Sequence, residues 1–250
     1  MPPRGRLLIV GTGPGSPDHL TPAAREALHR ADVVVGYRTY LDLIPELLAG
    51  KQVLGSAMMQ EVERCREAIA LAGQGRTVAL VSGGDPGIYA MAGLAFELLR
   101  ADDSPLEVEV IPGIAALNAC AARLGAPLMH DFAAISLSDL LTPWPLIERR
   151  LAAAAEADFV IVLYNPKSKR RTSHIVRAKE ILLDHRSAST PAGIVTAATR
   201  ETETIQLTTL GQMDQAEIGM QSTVIVGNSQ TFAWRDFLVT PRGYAGKYRI

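Results

Sequence analysis

The chain has 250 residues, of which 48% are hydrophobic and 20% charged, a globular composition that excludes a disordered or fibrous chain. Its formal net charge of −1 gives no overall field to hold nucleic acid or an anionic membrane, and neither is expected as a partner. The two cysteines, Cys65 and Cys120, are too few for a disulfide framework, and the five histidines, His19, His29, His130, His174 and His185, lack metal-ligand spacing, so no metal is expected.

Arg4 and Arg6 precede an apolar run of only Leu7 to Val10, too short for a signal-peptide core. No run approaches the roughly 20 apolar residues of a membrane span. The expectation is a cytoplasmic protein. Leu7–Val10, ended by Gly11, reads as a buried strand. Thr21 and Pro22 then start a helix to about Ala31. Val33–Val35 is a second strand, Leu41–Leu48 a short helix, Val53–Leu54 a short strand and Glu61–Ala72 a helix. Thr77–Ser82 is a strand running into Gly83-Gly84-Asp85-Pro86-Gly87. A helix over Ile88–Arg100, a strand over Val108–Ile111 and a helix over Ile114–Leu124 follow. This alternation predicts a mainly parallel sheet covered on both faces, with ligands beyond the carboxyl ends of its strands.

Gly125-Ala126-Pro127 reads as a linker, giving domains 1–124 and 125–250. Strands are expected at Phe132–Ser136, Phe159–Leu163, Gly193–Ala197, Thr204–Thr208 and Thr223–Val226, with helices at Leu146–Ala155 and Thr172–Leu183. The second half lacks the glycine-loop rhythm of the first and reads as a mixed sheet.

Gly11-Thr12-Gly13-Pro14-Gly15 invites a dinucleotide reading. Pro14 and Pro17 forbid a helix opening there, and the second strand ends at Gly36-Tyr37 without an acid, so the Rossmann pattern fails. No Gly-Lys-Ser/Thr follows, which excludes a P-loop. In Gly83-Gly84-Asp85 the glycines allow close backbone approach. Asp85 either meets a ligand hydroxyl or ammonium, or caps the helix after it.

Taken together, Gly11-x-Gly13-Pro14-Gly15, Gly83-Gly84-Asp85-Pro86 and Pro112-Gly113-Ile114 resemble, in order and spacing, the loops of the tetrapyrrole methylases. The resemblance covers essentially the whole chain. Within that family, Ile135 to Trp144 (ISLSDLLTPW), Leu163 to Ser168 (LYNPKS) with Arg171, and Thr240 to Tyr244 (TPRGY) are similar to the precorrin-3B C(17)-methyltransferase branch of cobalamin biosynthesis.

The resemblance implies two α/β domains with S-adenosylmethionine in the cleft between them, release of S-adenosylhomocysteine, and usually a homodimer. It implies methylation of precorrin-3B at carbon 17 with ring contraction to precorrin-4. Alternatives are the cobalt-dependent equivalent on cobalt-factor III, an RNA or diphthine methylase of the same family, and a non-catalytic cofactor-binding module. Cofactor contacts implied are Pro14, Gly83, Gly84, Asp85, Ile88, Ala115, Ala116, Tyr164, Asn165, Thr196, Ala197 and Ala198. Substrate contacts are Gly13, Ser138, Trp144, Arg171 and Arg242, the arginines suiting precorrin carboxylates. Asp85, Ser138 and Asp139 are candidates for catalysis, since contraction requires a hydroxyl on carbon 20 to lose its proton.

Overall fold

The structure, a computed structural model, describes residues 5–249; Arg4 lies outside them. The chain forms two compact units that divide after Ala116.

The first unit is built on five parallel strands: β1 (Arg6–Gly11), β2 (Val33–Tyr37), β3 (Gln52–Ser56), β4 (Thr77–Ser82) and β5 (Glu107–Ile111). Their spatial order is β3-β2-β4-β1-β5. The central strands are apolar on both faces, and the alternation of side chains sorts them into two layers. Leu8, Val10, Val34, Ala79 and Val81 pack with Ala24, Ala27 and Leu28 of α1 (Pro22–Arg30) and Leu41 of α2 (Arg38–Leu41). Leu7, Ile9, Val33, Val35, Val78 and Leu80 pack with Cys65, Ala68 and Ala72 of α3 (Glu61–Gly73) and Met91, Ala95 and Leu99 of α4 (Met91–Ala101). Thr21 caps α1 as its sequence predicts, its hydroxyl accepting from the Ala24 amide at 3.1 Å. The helix expected over Leu41–Leu48 is instead α2 followed by a 3-10 turn at Pro45–Leu47, because Pro45 has no amide to continue the ladder. The helix expected from Ile88 begins at Met91, since Tyr89 holds φ +52 and Ala90 is extended.

In the second unit, β7 (Phe132–Ser136), β8 (Val160–Tyr164), β9 (Pro191–Thr196), β10 (Thr204–Thr209) and β11 (Ser222–Val226) form a mixed sheet ordered β10-β9-β11-β8-β7. Only β7 and β8 run parallel; β11 is antiparallel to both neighbours. α6 (Trp144–Glu156) and α7 (His174–Leu183) cover one face through Ile147, Leu151, Ile175, Ala178 and Leu182. Gly125-Ala126 is not a linker. It forms the short strand β6 (Gly125–Ala126), paired with β13 (Phe237–Val239), which in turn pairs with β12 (Phe232–Trp234). The residues just before it also belong here. A Cβ at Gly193 on β9 would stand 2.5 Å from the Leu124 side chain, so the end of α5 (Ala116–Leu124) is packed onto this sheet and the division falls before Gly125. No helix among the described residues is long and apolar enough to cross a membrane.

Candidate active site

The glycine loops of the first unit meet backbone to backbone. Gly13 and Gly84 form an antiparallel bridge, with N–H···O distances of 3.1 and 2.7 Å. A Cβ at Gly113 would stand 2.1 Å from the Gly84 carbonyl oxygen, and one at Gly11 would stand 2.6 Å from it. The ends of β1, β4 and β5 are thus interlocked with no space for side chains. Gly83 lies against the Tyr40 ring, where a Cβ would approach Cε1 to 2.5 Å. Gly84 differs: its φ is +67, but the nearest atom to a Cβ would be the Ala116 nitrogen at 3.6 Å. Its need for glycine is conformational rather than steric.

Asp85 staples this cluster. Its Oδ1 accepts from the Gly87 amide at 2.8 Å and its Oδ2 from the Gly113 amide at 3.2 Å. The carboxylate therefore turns its own loop and ties it to the loop after β5, rather than capping α4. Pro14 and Ala115 are buried, while Ile88 and Ala116 are partly exposed. The Ser82 hydroxyl and His19 Nδ1 are buried without a partner. Ser82 directly precedes Gly83, and the His19 carbonyl oxygen lies 2.7 Å from a Cβ at Gly13.

The second unit organises its loops with side chains. Ser136, the last residue of β7, accepts from Asn165 Nδ2 at 3.0 Å and from the Ser138 amide at 3.2 Å. Arg171 reaches across the same loops: Nη1 donates to Ser138 Oγ at 3.2 Å and Nη2 to the Asn165 carbonyl at 3.0 Å. Its side chain is 14% exposed, and Nη1 lies 3.9 Å from Asp139 Oδ1. Arg171 Nε is buried without a partner. Ser138, Asp139, Asn165 and Arg171, from two motifs far apart in sequence, are therefore gathered into one network.

Trp144 stacks on His174, with ring centroids 3.9 Å apart and planes at 23°, and packs against the second unit's core. The Tyr164 hydroxyl accepts from the Leu117 amide at 2.9 Å, in the first turn of α5. Thr196 shares a hydrogen bond of 2.7 Å with Ser222 and lines, with Lys167, Thr202, Thr204 and Glu217, a cavity of about 540 Å³. Ala197 and Ala198 are buried. Asn165 and Ala197 hold left-handed backbone, φ 49 and 51. Arg242 is exposed beyond β13, outside the Ser138–Arg171 network. What sequence reading missed is His174 and Ser136. The only hint of the first was its place three residues after Arg171, at the start of a helix.

A sequence profile described as Tetrapyrrole (Corrin/Porphyrin) Methylases matches residues 6–214. The chain is 52% identical over 238 residues to a Salmonella typhimurium protein named probable cobalt-factor III C(17)-methyltransferase, covering 95% of this chain and 99% of that one. It is also 52% identical over 251 residues to the cobalt-factor III methyltransferase of Priestia megaterium, covering 99% of this chain but only 46% of that longer protein. A Sinorhizobium precorrin-3B C(17)-methyltransferase is 43% identical over 250 residues, covering 97% and 98%. Among solved structures, that of the methyltransferase CobJ superposes with a TM-score of 0.88 at 37% identity, covering 95% of this chain and 100% of that one. A uroporphyrin-III C-methyltransferase of Thermus thermophilus complexed with S-adenosylhomocysteine gives 0.72 at 26% identity, covering 89% and 97%. With its glycine-interlocked first unit and mixed-sheet second unit matched along nearly their whole length, the chain belongs to the tetrapyrrole methylase family.

Proposed function

We propose that the protein transfers a methyl group from S-adenosylmethionine to carbon 17 of a precorrin-type tetrapyrrole and contracts the ring, in cobalamin biosynthesis in the cytoplasm, as a homodimer. The observation that carries this reading is the Ser136–Ser138–Asp139–Asn165–Arg171 network. It is assembled from the two motifs that resemble the C(17) branch, in a chain whose full-length relatives bear that name. The net charge of −1 supports a small-molecule partner over nucleic acid or a membrane.

The residues fit the cofactor. Polar atoms of Ser82 and His19 are buried and unpartnered beside the two glycine loops, and left-handed backbone at Asn165 and Ala197 is strain of the kind held at ligand sites. Contacts proposed from the first unit are Pro14, Gly83, Gly84, Asp85, Ile88, Ala115 and Ala116; from the second, Tyr164, Asn165, Thr196, Ala197 and Ala198. S-adenosylmethionine supplies a methyl already activated on a sulfonium, so the protein's task is alignment and exclusion of water. Asp85 holds the loops rather than a proton. Substrate contacts are proposed for Gly13, Ser138, Trp144, Arg171 and Arg242. Arg171, which also joins the loops, and the exposed Arg242 meet precorrin carboxylates. In contraction Asp139, on the open side of the network, takes the hydroxyl proton.

A specific observation favours a second substrate. Relatives named for cobalt-factor III reach 52% identity, against 43% for the precorrin-3B relative. Incubation with labelled cofactor and, in parallel, precorrin-3B, cobalt-factor III and RNA tests both. Label in either tetrapyrrole supports the reading and picks the substrate. Label in RNA alone, or in nothing, overturns it.

A further inference from the structure

We propose that His174 is a positioning residue for Asp139, acting through its Nε2 atom during ring contraction. The inference rests on the C(17) methylation-with-contraction reading and adds to it a residue that neither motif contains.

The ring of His174 is fixed in three directions. Its Nδ1 lies 2.9 Å from the Leu137 carbonyl oxygen. A carbonyl only accepts, so Nδ1 carries the proton and donates. One face of the ring is stacked on Trp144. The side chain is 15% exposed and stands at the first turn of α7, whose next residue, Ile175, is buried in the core. With Nδ1 committed, Nε2 is the atom left to act, and it lies 3.7 Å from Asp139 Oδ2.

Asp139 is the more exposed partner of the pair. Its side chain is 43% exposed, and its loop continues into Leu140 and Leu141, exposed by 72% and 98%. Arg171 Nη1 stands 3.9 Å from Oδ1 while His174 Nε2 stands 3.7 Å from Oδ2. Arg171 Nη1 thus faces Oδ1 as a donor at ion-pair distance, while His174 Nε2, which keeps a lone pair when Nδ1 holds the ring proton, faces Oδ2 as an acceptor. The guanidinium favours the ionised carboxylate, and the Nε2 lone pair accepts a hydrogen bond from Asp139 once that group has taken the hydroxyl proton, so the two groups hold Asp139 in one place before and after the transfer. The Arg171 and His174 side chains are themselves tied to the 137–138 segment, by Ser138 Oγ and the Leu137 carbonyl. Both groups are therefore tied to the segment that carries the carboxylate.

Two isosteric variants separate the ring's two nitrogens. Asparagine places a donor where Nδ1 stands and keeps the bond to Leu137 but has nothing at Nε2. Glutamine reaches the Nε2 position and gives up the Leu137 bond. The readout is the ratio of contracted to uncontracted methylated product, which does not depend on how much enzyme is folded. His174→Asn is expected to lower that ratio by about 10-fold, less than the roughly 100-fold or more of losing the acid–base group itself, as fits a residue that acts through another. His174→Gln is expected to lower it less, whatever its yield. Because His174 acts through Asp139, adding His174→Asn to Asp139→Asn should cost nothing further. A wild-type ratio in His174→Asn, a larger loss in His174→Gln, or an additive loss in the double variant each overturns the proposal. If the wild-type protein transfers no methyl to either tetrapyrrole, the failure belongs to the underlying reading instead.

Discussion

The two units solve the same problem, holding loops at the ends of strands, with different materials. The first uses mainly backbone: Gly11, Gly13, Gly84 and Gly113 press main chain on main chain, and the side chains of Asp85 and Thr12 that help bond only to backbone groups. The second uses side chains: Ser136, Ser138, Asn165, Arg171 and His174 join segments more than 25 residues apart in sequence. Backbone packing leaves few ways to vary and suits a part shared across a family. A side-chain network is altered by single substitutions and suits the part that distinguishes one tetrapyrrole chemistry from another.

The sharpest break between the two comes from Gly113→Ala. Its methyl meets two backbone segments that cannot rotate away, so the loss is expected at about 4 kcal/mol or more, the range of severe core changes. Denaturant unfolding measures it. Arg171→Leu is expected to cost less, about 2–3 kcal/mol for the lost charge-assisted bonds, and to leave the first unit's amide exchange unchanged. Loss of protection around Gly11–Gly15 in that variant would mean the two sets of loops are not held independently.

Gly84→Ala sharpens the comparison within the first unit. The site has room for a methyl, so only the left-handed backbone is penalised, at about 1–2 kcal/mol. A loss as large as that of Gly113→Ala would show that the two glycines serve one purpose.

A pH-dependent effect should be common to both units. Cys65 and Cys120 are buried, one in each unit. Burial, outweighing the nearby Arg64 at the first and the Thr223 hydrogen bond at the second, pushes each thiol up to about 11. Below about pH 9 both thiols are protonated whether the chain is folded or not. Between about 9 and 11 only the unfolded thiols ionise, so the native state loses stability as pH rises through that window. Urea midpoints at pH 8 and pH 10 should show the fall, and replacing both cysteines by alanine should flatten it.

Much of this was legible in the sequence because its signals are local. The buried runs Leu7–Val10 and Thr77–Ser82 and the Thr21-Pro22 cap appear in the structure where they were expected. Glycine and proline at 125–127 look like a linker in the sequence, whereas Gly125 is a place where Phe237 packs close, 3.1 Å from a Cβ there. That partner lies more than 100 residues away. The short strands β6, β12 and β13 escaped for the same reason: their stability comes from pairing, not from any run of their own. At the site, the resemblance picked out Ser138, Asp139 and Arg171, which do meet. It passed over His174, whose role depends on a carbonyl and an indole that fold against it.

Methylation at carbon 17 coupled to ring contraction is tested most directly by carbon-13 NMR of the product formed from tetrapyrrole and cofactor labelled in the methyl group. One labelled methyl on carbon 17 of a contracted macrocycle is the predicted result. A label on any other ring carbon, on nitrogen, or on carbon 17 of a ring that stays uncontracted with the wild-type protein would contradict it.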